Sequence, residues 1–138
     1  MKARILVVDD EESIREFLDI MLRKEGYEVT CAEDGQKALE VMKKTAFAMV
    51  VSDLQMPTVT CIELLKQIKD QYPEMLFMMI TAFGSTETAV EAMKLGAYDY
   101  LTKPFKIDEV RINIANALRS KNLEVENRTL KKELKAEY

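Results

Sequence analysis

A chain of 138 residues fits the length of one domain, and 48% hydrophobic against 32% charged residues is enough apolar material for a buried core. A formal charge of −4 gives no electrostatic case for direct nucleic-acid contact, and the lack of any histidine excludes a His-based triad or a histidine metal site. No apolar run approaches the ~20 residues that cross a bilayer, and Met1-Lys2-Ala3-Arg4 leads directly into a strand-like run, so neither a membrane span nor a signal peptide is expected.

Arg4-Ile5-Leu6-Val7-Val8 is a run that is continuously apolar after its first residue, the pattern of a strand covered on both faces. It ends at four consecutive acids, Asp9-Asp10-Glu11-Glu12. A helix then begins near Ser13, with Ile14, Phe17, Leu18, Met21 and Leu22 on one stripe, and Gly26 stops it in the C′ position. A second strand is predicted from Tyr27 to Cys31, and Asp34-Gly35 opens a second helix through Ala38, Leu39 and Met42. Phe47-Ala48-Met49-Val50-Val51 reads as a third, buried strand, bounded by Asp53 and Pro57. Ile62, Leu64, Leu65 and Ile68 mark a third helix ending near Tyr72-Pro73. Met75 to Ile80 is the fourth strand, ending at Thr81. Ser85 to Lys94 is a fourth helix closed by Gly96. Tyr98 to Leu101 is a short fifth strand followed by Lys103-Pro104-Phe105, and a last helix starts near Ile107-Asp108.

Strands alternating with helices imply parallel pairing and right-handed crossovers. The predicted fold is α/β: a doubly wound five-stranded parallel sheet of order 2-1-3-4-5, a flavodoxin-like (βα)5 unit. Helices one and five are expected on one face and helices two, three and four on the other. In that order the winding reverses at strand one, so the crevice at the carboxyl ends of strands one and three is the default site. Asp9, Asp10 and Asp53 fall there. A lone strand-end Asp is ordinarily a helix cap, and Glu11 and Glu12 complement a helix dipole. Neither reading accounts for three carboxylates directed at one crevice. Such a cluster repels itself unless a hard divalent cation neutralises it, and Mg²⁺ takes carboxylates, waters and phosphate oxygens. Lys103 adds an ammonium from strand five and Thr81 a hydroxyl from strand four, a set suited to phosphoryl transfer with Asp53 as nucleophile. Cys31 and Cys61 have no metal-ligand spacing and read as reduced thiols, in keeping with a cytoplasmic location.

These residues carry a resemblance. Val7-Val8-Asp9-Asp10-Glu11, Asp53-Leu54-Gln55-Met56-Pro57, Thr81-Ala82 and Lys103-Pro104-Phe105, in this order and spacing, resemble the receiver domain of two-component response regulators, from residue 4 to about residue 119. The resemblance implies that Asp53 accepts a phosphoryl group from a phosphohistidine on a partner sensor histidine kinase. It implies that Asp10, Asp53 and the backbone carbonyl of Gln55 bind Mg²⁺ directly, with Asp9 acting through water, and that Thr81 and Lys103 hold the phosphoryl oxygens. The resemblance further implies that on phosphorylation the Thr81 hydroxyl moves toward the phosphate and Tyr100 swings inward behind it, switching a surface of helix four, strand five and helix five. The implied activity is a signalling domain that catalyses only its own phosphotransfer and slow dephosphorylation. One position departs from the family pattern: Cys61 stands where glycine is usual, which costs roughly 1–2 kcal/mol if the backbone there has positive φ.

Residues 120–138 remain helix-forming, with Leu123, Asn127, Leu130 and Leu134 at 4-3-4 spacing. That is a coiled-coil seam with a polar residue at one a position, Glu126 at g and Lys131 at the next e, against the plainer reading of a frayed amphipathic linker. A receiver over 1–119 followed by a coiled-coil-like linker over 120–138 resembles the regulatory segment of the NtrC-type sigma-54-dependent activators. That resemblance implies an ATPase and a DNA-binding output domain outside this chain, and a homodimer through helix four, strand five and helix five or through the linker. Rival readings are a stand-alone adaptor receiver that acts by docking, and a phosphohydrolase of the haloacid dehalogenase type. The latter calls for a second Asp where this chain has Gln55. A nucleotide-binding domain is disfavoured by an acidic first βα turn without G-x-G-x-x-G.

Overall fold

The computed structural model describes residues 3–53, 61–81, 86–102 and 106–120. Its elements are β1 (Arg4–Val8), α1 (Glu12–Lys24), β2 (Glu28–Ala32), α2 (Gly35–Lys44), β3 (Met49–Asp53), α3 (Cys61–Gln71), β4 (Leu76–Thr81), α4 (Thr86–Lys94) and β5 (Asp99–Thr102). A last helix, α5, covers 107–120. The strands form one sheet of order β2-β1-β3-β4-β5, and every pair is parallel. The doubly wound sheet expected from the alternation of strand and helix is therefore present.

The apolar runs form strands because both faces of each are covered. All five residues of β3 are buried, as are Ile5 to Val8 of β1. Alternation along the strands sorts the core into two layers. Leu6, Val8, Val50, Phe77 and Met79 face Met42 of α2, Leu64, Leu65 and Ile68 of α3, and Ala92 of α4. Ile5, Val7, Met49, Val51, Met78 and Ile80 face Leu18, Met21 and Leu22 of α1 and Val110, Ile114 and Ala117 of α5. Each fully buried aliphatic side chain contributes about 1.5–3 kcal/mol, so the interior strands β1, β3 and β4, where such side chains concentrate, are the most firmly held part of the sheet.

Helix ends follow local chemistry. Gly26 lies at φ 92° after α1, its N–H donating to Arg23 O and that of Tyr27 to Leu22 O. The paired bonds and the left-handed glycine make a Schellman stop. Gly96, at φ 109°, closes α4 in the same way, with bonds to Met93 O and from Ala97 to Ala92 O. At the start of α2 the Asp34 side chain caps the N–H of Lys37 at 2.9 Å.

Boundaries differ from the sequence reading by one or two residues. β2 begins and ends one residue later than Tyr27–Cys31, and β3 runs from Met49 through Asp53 instead of stopping at Val51. The reason is pairing: β4 holds β3 as far as the Asp53–Ile80 partners. Cys61 is the first residue of α3, and among the described residues only glycines have positive φ, so the strain considered for Cys61 does not arise. Gln55, Lys103 and the seam residues Leu123, Asn127, Leu130 and Leu134 lie outside the described residues. Among those described, no helix is long and apolar enough to cross a membrane.

Candidate functional site

The site forms where β1 and β3 end side by side. Val8 pairs with Ser52 across these two strands, so Asp9 and Asp53 follow in adjacent positions on neighbouring chains. They share the alternation of Ile5, Val7, Met49 and Val51, which places both on the α1/α5 side of the sheet. The sheet's bonding continues one residue past β1, because the Asp9 N–H donates to Ala32 O of β2 at 3.2 Å. The chain then turns into α1: Asp9 Oδ1 accepts the N–H of Glu11 at 2.9 Å, an Asx turn. The Asp9 carbonyl accepts a bond from Arg15 Nη1 at 2.7 Å. On β3, the buried Ser52 hydroxyl donates to the Asp53 carbonyl at 3.1 Å.

One carboxylate oxygen from each of Asp9, Asp10 and Asp53 lies within 4.8 Å of the others. Asp9 is fully buried and Asp53 is 6% exposed, whereas Asp10 stands at the solvent side. Burying carboxylates is costly unless a counter-charge or donors meet them. The donor set is all oxygen and anionic, which fits a hard divalent cation. Two inner carboxylates with one at an open mouth leave room for the waters and phosphate oxygens that Mg²⁺ retains. The residues present therefore fit Mg²⁺.

Thr81 is the last residue of β4, the strand next to β3, and its Cα partner is Thr102. Tyr100 sits in β5 with 46% of its surface exposed, its N–H donating to Asp99 Oδ1 at 2.8 Å. The sequence reading did not single out Arg15. A cation near a helix N-terminus opposes the helix dipole, and that mismatch was the available signal. Behind Arg15, a groove of about 440 Å³ opens between α1, the end of β2 and α2, lined by Cys31, Glu33, Lys37 and Glu40. Cys31 donates a weak bond to the Arg15 carbonyl at 3.9 Å, and burial pushes its thiol above the ordinary range.

The profile of the response regulator receiver domain matches residues 5–125. The response regulator protein PilR of Pseudomonas aeruginosa is 36% identical over 125 residues, covering 91% of this chain and 28% of the relative. The regulatory protein AtoC of Escherichia coli is 34% identical over 135 residues, covering 98% of this chain and 29% of that protein. This chain thus spans less than a third of the length of these relatives. Among solved structures, NtrX from Brucella abortus superposes with a TM-score of 0.89 at 39% identity, over 94% of this chain and 30% of that one. The chemotaxis protein CheY4 of Vibrio cholerae superposes at 0.81 with 34% identity, over 85% of this chain and 99% of that one.

Proposed function

This chain belongs to the response regulator receiver domain family, and from that footing we propose that Asp53 is its phosphoacceptor, receiving a phosphoryl group from the phosphohistidine of a sensor histidine kinase. The observation that carries the proposal is the convergence of Asp9, Asp10 and Asp53 within 4.8 Å at the ends of two interior strands.

An Asp53 carboxylate oxygen attacks phosphorus, an O–P bond forms and the N–P bond to the kinase imidazole breaks, with its electron pair returning to the ring nitrogen. The product is an acyl phosphate on Asp53. β3 holds the nucleophile: Asp53 pairs with Ile80 of β4, follows directly on the Val8–Ser52 pair with β1, and is braced through the Ser52 hydroxyl, so little orientation is lost on reaction. Asp10, Asp53 and the Gln55 carbonyl would hold Mg²⁺ directly, and Asp9 through water. When bound, the ion supplies charge neutralisation for the phosphoryl oxygens. Lys103 and Thr81 contribute an ammonium and a hydroxyl to the same oxygens.

The added charge and acceptor oxygens on Asp53 shift a two-state equilibrium in which Thr81 approaches the phosphate and Tyr100 moves from its half-exposed position inward. The surface of α4, β5 and α5 changes with it. Val90 and Met93 of α4 and Tyr98 and Tyr100 at β5 are exposed there, in keeping with a docking role. Residues 120–138 then act as a coiled-coil-like linker to ATPase and DNA-binding output domains of a sigma-54-dependent activator in the cytoplasm. The short share of PilR and AtoC that this chain covers supports that architecture.

Acetyl phosphate with Mg²⁺, followed by intact mass and sedimentation, tests the proposal. One phosphoryl increment per chain, lost in Asp53→Asn and accompanied by a change in assembly, is expected. Turnover of a generic phosphate ester beyond one equivalent indicates a hydrolase instead, and phosphorylation with no change in assembly favours the adaptor reading.

A further inference from the structure

We propose that Arg15 is a positioning residue for the acid pocket, acting through the peptide between Asp9 and Asp10 to set the affinity for the divalent cation. The inference rests on the reading of that pocket as a Mg²⁺-dependent phosphoacceptor site, and it adds a residue from α1 to it.

Arg15 is a cation beside an acidic pocket and close to several carboxylates in sequence, yet its bond goes to a backbone carbonyl. Nη1 donates to Asp9 O at 2.7 Å, and among the described residues no carboxylate forms an ion pair with Arg15. Glu33, which shares its groove, is paired with Lys37. The bond completes a clamp. The N–H of Asp9 is tied to Ala32 O on β2, its carbonyl to Arg15, and its Oδ1 to the N–H of Glu11. With both ends of the Asp9 backbone held, the peptide plane leading into Asp10 cannot rotate freely. Asp10 needs this constraint. It is exposed, and among the described residues its carboxylate makes no hydrogen bond that would aim it at Asp9 and Asp53. Its direction therefore depends on the backbone that carries it.

The sign of the effect separates positioning from bulk charge. Removing a cation makes the pocket more negative, which by electrostatics alone tightens cation binding. Loss of orientation weakens it. Groups that orient metal ligands from behind typically matter by about tenfold or more in affinity.

The test is calorimetric titration of the 138-residue chain with MgCl₂, comparing wild type, Arg15→Met, Arg15→Lys and the control Arg4→Met, which makes the same charge change at the far end of β1. The expected result is a Kd raised about tenfold in Arg15→Met, an intermediate value in Arg15→Lys, and no change in Arg4→Met. In the metal-free protein, the Asp10 amide resonance of Arg15→Met is expected to move. With acetyl phosphate, the Mg²⁺ concentration for half-maximal phosphorylation rises while the rate at saturating Mg²⁺ holds. An unchanged or tighter Kd in Arg15→Met, or equal weakening in Arg4→Met, overturns the proposal. If Arg15→Met does not fold, Arg15→Lys decides: wild-type affinity there overturns it. A wild-type chain that binds no Mg²⁺ removes the phosphoacceptor reading as well, whereas one that binds and is phosphorylated with an indifferent Arg15 removes this inference alone.

Discussion

Replacing Asp10 with Asn probes the charge conflict in the pocket. Carboxylate oxygens within 4.8 Å of one another repel, for unit charges, by about 3.5 kcal/mol at an effective dielectric of ~20 and by about 0.9 kcal/mol in water. Asp10 is exposed, so solvent screening selects the lower part of that range. In chelator at low salt, Asp10→Asn is expected to gain about 1 kcal/mol in urea unfolding, equivalent to roughly 3–4 °C in thermal midpoint for a domain of this size. Salt near 1 M, where the Debye length is about 3 Å, should erase the gain. Mg²⁺ at ten times its Kd should then stabilise wild type by about 1.4 kcal/mol and the variant far less, bringing the two curves level or reversing them. A variant no more stable than wild type without metal, or one that gains as much from Mg²⁺, refutes the reasoning.

Gly26→Ala should cost about 1 kcal/mol in urea unfolding: φ is 92° but no heavy atom lies within 4 Å of the added Cβ, so backbone strain is the whole effect, and Mg²⁺ affinity should not move. Gly96→Ala should cost more, because its Cβ also meets Lys69 Cε at 3.2 Å; an equal or smaller loss would count against that contact. Cys31, whose thiol is pushed up by burial, should alkylate more slowly than a free cysteine near neutral pH, with its rate still climbing where the free thiol has levelled off; peptide mapping across pH reads this, and coincident profiles would contradict it. Deleting 121–138 should lower the dimer fraction in sedimentation, and an unchanged monomer fraction rejects the linker role.

Much of the frame was legible because its causes are local or periodic. The runs at 5–8 and 76–80 carry apolar residues at every position, as strands covered on both faces do, and Gly26 and Gly96 mark helix ends by a backbone state that side chains resist. Three acids at the ends of the first and third strands then followed from strand order. What was not legible depends on contacts between distant segments. The extension of β3 to Asp53 comes from pairing with β4, and an aspartate after an apolar run looks like the start of a loop. The Arg15 bond joins α1 to a main-chain oxygen at the end of β1, a partner that no side-chain pattern reveals.

The carboxylates of the pocket sit at the end of β3 and in the turn that follows β1, two interior strands, and none comes from an outward helix face. The chemistry and the surfaces that other proteins would touch are thus written in separate parts of the sequence. Drift on the outer helices, Arg15 of α1 apart, can retarget such a domain to a new partner while the reactive centre stays intact, so duplicated copies can be insulated from one another without reinventing the reaction.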